Sequence, residues 1–274
     1  MRRLPSTDGV EVAVYDLGGE GRPLLLVHPT SFCAQVLAPL ARSLTPRFRC
    51  WSVDLRGHGR TTSPDGLAYA WSGFAADVLA VVDGLGLDRP FAVGHSSGGA
   101  AVLLAEAERP GTFPALWCYE PIVWPEPDRA KARAERLAEG ALRRRHRFPN
   151  REEAYRNFAS KPPFSALSEE ALRAYVEHGF AETPDGSVVL RCRREVEAEI
   201  YRRAVEGDRF ARLGEVLCPV TVACGEDTEA ITPATGQQLV DALPHADLAV
   251  FDRLAHFGPL EDSPRLGAAI LRDL

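Results

Sequence analysis

The stretch FAVGHSSGGAAVLLAEAERP, residues 91–110, passes within five residues from an apolar run, through glycines and two serines, into an alanine- and leucine-rich helical pattern. A buried strand is expected to end at Gly94 and a helix to begin near Gly98, leaving Ser96 on the turn between them. Glycines on both sides suit a sharp strand-to-helix turn, because larger side chains would meet the neighbouring backbone there. Such a turn raises the serine hydroxyl above the sheet. It also aims the Ser97 N–H, at the helix N-terminus, to where a tetrahedral intermediate develops negative charge.

Similar valine- and leucine-rich runs, each closed by a turn signal, recur at 23–28, 49–55, 115–120, 219–225 and 247–252. Near-continuous apolarity suits strands buried on both faces, hence a parallel sheet. Helical patterns at 33–44, 71–85, 98–108, 234–243 and 264–273 alternate with them, so the fold class is α/β, doubly wound. The weakly alternating VEVAVYDLG, residues 10–18, is expected as an antiparallel strand on the sheet edge. Residues 121–217 break the alternation with arginine, glutamate, alanine and several prolines, and read as a mainly helical insertion with one extended piece, DGSVVLRC, at 185–192. The basic run RRRHR, residues 143–147, reads as a solvated helix face rather than an anion site.

The chain has 274 residues, 45% of them hydrophobic, which is ample for a sizeable core. Its formal net charge of −6 gives no ground for nucleic acid or an anionic membrane as partner. Apolar runs fall far short of a membrane span, so a soluble, cytoplasmic protein is expected. The six cysteines (33, 50, 118, 192, 218 and 224) lack paired short spacings and are expected to be reduced, with neither zinc nor disulfides. Cys218 and Cys224 bracket a strand whose ends lie roughly 20 Å apart, too far to bridge.

Four segments in order, VHPTS (27–31), DLRGHGRT (54–61), GHSSGGA (94–100) and LAHFGPLED (254–262), resemble an α/β-hydrolase-fold serine hydrolase of the esterase and lactonase type, over nearly the whole chain. The resemblance implies a core formed by 1–120 and 218–274, with 121–217 a helical cap between strands six and seven. It implies Ser96 as nucleophile and His256 as its base, following the family's order of serine, acid, histidine. His28, His58 and His95 are assigned structural hydrogen bonds. The residue two beyond His28 donates the second oxyanion N–H in the family, which gives Thr30 beside Ser97, although Pro29 stands where the family has glycine.

The acid is open. The family's usual aspartate stands three residues beyond a glycine, and three beyond Gly225 is Thr228; Asp227 is one residue early and Glu229 one late. Some relatives carry the acid at the end of the sixth strand, where Glu120 stands before Pro121, and Glu120 is preferred over Asp227 and then Glu229. Phe32, Trp124 and Phe257 are candidate walls of an apolar pocket for a small ester or lactone. No cofactor or metal is expected, and the oligomeric state, with a homodimer one option, is open. Alternative chemistries on the same parts are carbon–carbon hydrolysis, amide hydrolysis and acyl transfer. A non-catalytic small-molecule binder is a further alternative. Dehalogenase and epoxide-hydrolase chemistry is disfavoured because the elbow residue is not a carboxylate.

Overall fold

The structure is a computed structural model that describes residues 1–274 apart from the side chains of Pro127 and Arg129. The chain opens with strands β1 (Arg2–Pro5), β2 (Glu11–Gly18) and β3 (Arg22–Val27), helix α1 (Ala38–Leu44), strand β4 (Phe48–Asp54) and helix α2 (Trp71–Gly84). Strand β5 (Phe91–His95), helix α3 (Ser97–Glu108) and strand β6 (Leu116–Tyr119) follow. The next hundred residues hold α4 (Pro127–Arg143), β7 (Arg147–Phe148), α5 (Arg151–Ala159), α6 (Glu169–His178), β8 (Phe180–Glu182), β9 (Val188–Leu190) and α7 (Arg194–Arg203). The chain then returns through β10 (Val220–Gly225), α8 (Pro233–Ala242), β11 (Ala246–Phe251), the short α9 (Gly258–Glu261) and α10 (Ser263–Asp273).

Eight strands form one sheet in the order β1-β2-β4-β3-β5-β6-β10-β11. All neighbours from β4 to β11 run parallel, and β2 is antiparallel to both β1 and β4. The run PLLLV shows why the sheet is buried on both faces. Its side chains alternate with period two, so Leu25 and Val27 enter one apolar cluster while Leu24 and Leu26 enter the other, all four without exposure. Each such leucine contributes roughly 2 kcal/mol of burial. Helices α2 and α3 cover the first face, and α1 and α10 the second.

Several expectations need correction. Segment 10–18 is not the edge, because β1 pairs beyond it through Arg2 with Val14 and Leu4 with Val12. At the opposite edge, β11 is half exposed, with Val250 47% accessible, so it does not share the burial of the inner strands. Strand β5 runs on to His95 and α3 starts at Ser97, one position outside each expected boundary. The pattern over 33–44 splits into a 3-10 turn at Ala34–Leu37 followed by α1, which carries a proline in its first turn. The segment between β6 and β10 holds three short strands, β7, β8 and β9, as a separate antiparallel sheet beside its helices, two more than the sequence suggested. Two of its helices, α5 and α6, start where a side chain satisfies a free N–H group: Asn150 accepts from Glu153 and Ser168 from Ala171.

All six cysteines are free and buried. No helix among the described residues is long and apolar enough to cross a membrane.

Candidate active site

Ser96 stands between β5 and α3 with φ 56° and ψ −113°, a conformation side chains rarely adopt and one that stores about 1–3 kcal/mol. The flanking glycines make the turn possible. A Cβ on Gly98 would lie 2.2 Å from the Val27 carbonyl oxygen, and one on Gly94 would lie 2.6 Å from the Gly98 carbonyl oxygen. Strand β6 locks the elbow from the other side: the Ser96 N–H donates to the Tyr119 carbonyl at 2.9 Å, and Ile122 N–H donates to the Ser96 carbonyl at 3.2 Å.

The imidazole of His256 bridges two side chains. Its Nε2 is 3.1 Å from Ser96 Oγ, and its Nδ1 is 2.6 Å from Glu120 Oε2. A carboxylate only accepts, so the proton sits on Nδ1 and Nε2 is left to accept from the serine hydroxyl. The loop carrying His256 is held on several sides. Glu261 accepts from the N–H groups of Ala255 and Phe257, Tyr119 donates its hydroxyl to the Ala255 carbonyl, and His95 Nε2 donates to the His256 carbonyl at 2.7 Å.

Glu120 is fully buried just past the end of β6, at φ 44°. Its carboxylate accepts from Gly225 N–H at 3.1 Å, from Thr228 Oγ1 at 2.7 Å and from Ile231 N–H at 3.4 Å, in addition to His256. Thr228 thus occupies the position where an aspartate was sought, and gives a hydroxyl to the acid that stands across from it. Asp227 and Glu229 also line the cavity, but among the described residues no hydrogen bond joins either carboxylate to His256.

Three other histidines, His28, His58 and His95, act as neutral struts. His28 donates from Nδ1 to the Pro29 carbonyl and accepts Leu55 N–H on Nε2; His58 donates from Nδ1 to the Arg56 carbonyl and accepts Ser31 N–H on Nε2. Burial pulls their pKa values down, to about 4 for His28 and, with His28 adding to burial, about 3 for His58. Burial, then the neighbouring His256, holds His95 well below its usual value. The rest of segment 54–61 is also structural: Asp54 accepts from Tyr15, Ala34 and Arg60, while fully buried Arg56 pairs with Asp77.

Thr30 lies beside Ser96 on the turn Pro29–Phe32, which is closed by Phe32 N–H donating to the Pro29 carbonyl at 3.2 Å. Among the described residues neither Thr30 N–H nor Ser97 N–H has a partner, and the Thr30 hydroxyl is buried and unbonded. Both amides are therefore free to donate to a ligand.

Above these groups lies a cavity of about 540 Å³. Phe32, Ile122, Trp124, Leu137, Phe164 and Phe257 supply its apolar lining, and Phe32 packs 5.5 Å from Phe164 and 5.3 Å from Phe257 between ring centres. Sequence reading missed its polar wall. Arg144, counted there in a solvated basic run, turns inward with a side chain only 16% exposed, bonds Ser31 Oγ at 2.8 Å and pairs with buried Glu197. Arg143 and Arg147 of that run do face solvent and pair with Glu139 and Asp185. Helical spacing offered a signal, since Arg133, Leu137, Gly140 and Arg144 fall on one face, the face that lines the cavity. Among the described residues no group of three or more His, Cys, Asp or Glu side chains is placed to hold a metal ion.

The model of the "Alpha/beta hydrolase family" matches residues 24–270. A 2-(acetamidomethylene)succinate hydrolase of Mesorhizobium japonicum is 24% identical over 216 residues, covering 79% of this chain and 74% of that one. A bifunctional esterase/perhydrolase of Acinetobacter calcoaceticus is 35% identical over 121 residues, covering 40% of each chain. Among solved structures, an E-2-(acetamidomethylene)succinate hydrolase superposes with a TM-score of 0.86 at 21% identity, covering 99% of this chain and 97% of that one, a likeness of fold.

Proposed function

Because this chain belongs to the alpha/beta hydrolase family, we propose that it is a metal-free serine hydrolase of small carboxylic esters or lactones, working through an acyl-enzyme. The observation that carries the reading is the continuous chain of contacts from Glu120 Oε2 through His256 to Ser96 Oγ, at 2.6 and 3.1 Å. In the proposed cycle His256 Nε2 takes the hydroxyl proton as Ser96 Oγ attacks the substrate carbonyl carbon. The N–H groups of Thr30 and Ser97 receive the oxyanion, and the Glu120 carboxylate steadies the imidazolium. Collapse breaks the bond to the leaving oxygen, which takes the proton from His256. A water, deprotonated by the same imidazole, then attacks the acyl carbon and frees Ser96.

The elements from 121 to 217 act in this reading as a cap, which closes an apolar cavity over the serine through Trp124, Leu137 and Phe164. The apolar part of the lining suits uncharged acyl groups, and the enclosure keeps bulk water from competing with the oxyanion donors.

Cleavage of an amide-type bond is a second reading. The relative matching most of the chain among those above is named for hydrolysis of an acetamido compound, and the same groups serve if His256 protonates a leaving nitrogen. Purified protein assayed against parallel panels of p-nitrophenyl esters, lactones and N-acyl compounds separates the two. Turnover of short esters that vanishes in Ser96→Ala supports the first reading. Turnover of the N-acyl panel alone favours the second, and ester turnover unchanged in Ser96→Ala defeats both.

A further inference from the structure

The turn that presents Thr30 carries a residue in the wrong backbone region for its type. Ser31 is third in the hydrogen-bonded turn Pro29–Phe32 and has φ 80°, a value glycine adopts freely and serine does not. An L-residue stays there only when its surroundings hold it. Two bonds tie Ser31 to its surroundings, with Tyr175 and Glu197 also beside its side chain. One comes from the core, where its N–H donates to His58 Nε2 at 2.9 Å. The other comes from the inserted segment, where Arg144 Nη1 donates to Ser31 Oγ at 2.8 Å.

Arg144 is itself fixed. It follows the last turn of α4, and its Nη2 lies 2.7 Å from Glu197 Oε2 on α7, a close ion pair outside hydrogen-bond angles, with side chains 16% and 4% exposed. A buried pair of this kind stays together because separating it strands a charge away from water. The guanidinium is therefore a rigid arm from the insertion, gripping the turn one residue from the free Thr30 N–H.

We propose that Arg144 is a positioning residue for the oxyanion turn, holding Ser31 at positive φ so that Thr30 N–H faces the carbonyl oxygen of the substrate. The inference rests on the serine-hydrolase reading above. Without the arm, Ser31 relaxes toward negative φ and the amide turns from its target, lowering the rate of the chemical step and leaving substrate binding little changed. Activity thereby depends on the insertion being seated on the core.

The test compares kcat and KM for a short p-nitrophenyl ester in wild type, Arg144→Met, and Arg144→Met with Ser31→Gly. Arg144→Met is expected to lower kcat about 10-fold with KM within about 2-fold. Adding Ser31→Gly should return kcat to within about 3-fold of wild type, because glycine holds φ 80° without help. A merely structural arginine predicts no such rescue, so a double variant as slow as Arg144→Met overturns the proposal. Amide hydrogen exchange over residues 30–32 gives a readout independent of turnover: it should quicken in Arg144→Met, and unchanged exchange also overturns the proposal. If wild type hydrolyses no ester, the functional reading has failed while exchange still reads the arm. Should Arg144→Met not fold, the pair Arg144→Met/Glu197→Gln, which leaves no lone buried charge, serves for both measurements.

Discussion

The two walls of the cavity are built by different physics. The sheet side relies on fixed backbone: a strained serine between glycines pressed against carbonyl oxygens, three uncharged imidazoles used as struts, and one carboxylate held by two amides and a hydroxyl. The inserted side relies on reach, with long charged side chains such as Arg144 and Glu197 meeting across helices. Parts that need one backbone geometry restrict which residues can occupy them, and so leave a motif. Parts that need only a charge carried to the right place by a long side chain leave little trace in sequence.

Carboxylate exchange tests that contrast most severely. Glu120→Gln keeps the size but weakens the grip on the imidazolium, and should lower kcat for an ester by about 10⁴-fold. Asp227→Asn, a cavity-lining change without a bond to His256, should stay within about 3-fold. Steady-state kinetics on both variants decides; a large loss in Asp227→Asn alone would mean that the imidazole turns to the other carboxylate in solution.

Acid should weaken the sheet side through its buried imidazoles. The folded pKa values of His28 (about 4), His58 (about 3) and His95 lie below the unfolded value near 6.5, so below that pH the unfolded chain binds more protons. The contribution of His28 and His58 to stability is thus full above pH 6.5 and falls as pH drops from there toward 4, by about 1.4 kcal/mol per pH unit for each, with His95 acting in the same direction. Urea unfolding midpoints between pH 7 and 4.5 should fall steeply, and a flat profile would show that these rings are not buried and neutral.

Glycine replacements give a smaller contrast of opposite sign. Gly98→Ala puts a methyl against the Val27 backbone and should cost about 2 kcal/mol or more, whereas Gly140→Ala in α4 meets nothing within 4 Å and should gain roughly 0.5–1 kcal/mol. Thermal melts of the two variants check both signs. Milder than the carboxylate exchange, Thr228→Val removes one hydroxyl from Glu120 and should lower kcat about 10-fold.

The alternation of buried runs and helical patterns revealed the parallel sheet because strands enclosed on both faces tolerate almost no polar residue. Ser96 was legible for the reason given above: only glycine fits where its neighbours approach backbone. The rest depended on contacts across the chain. Glu120 and Gly225 meet from 105 residues apart, so no local spacing could choose between Glu120 and Asp227, and Thr228 looked like a failed acid until its hydroxyl was seen to serve Glu120. Arg144 looked like one more surface charge because the end of α4 comes to rest over Ser31 only in three dimensions. Strand β1 escaped notice because four residues bearing two arginines carry no apolar signal, as suits a sheet edge.

Ser96 is proposed as an activated nucleophile, and mass mapping of the protein after reaction with a fluorophosphonate tests that activation at the residue itself. A single adduct is expected on the peptide carrying Ser96, formed quickly in wild type and far more slowly in Glu120→Gln. No adduct, or an adduct on another residue, would contradict it.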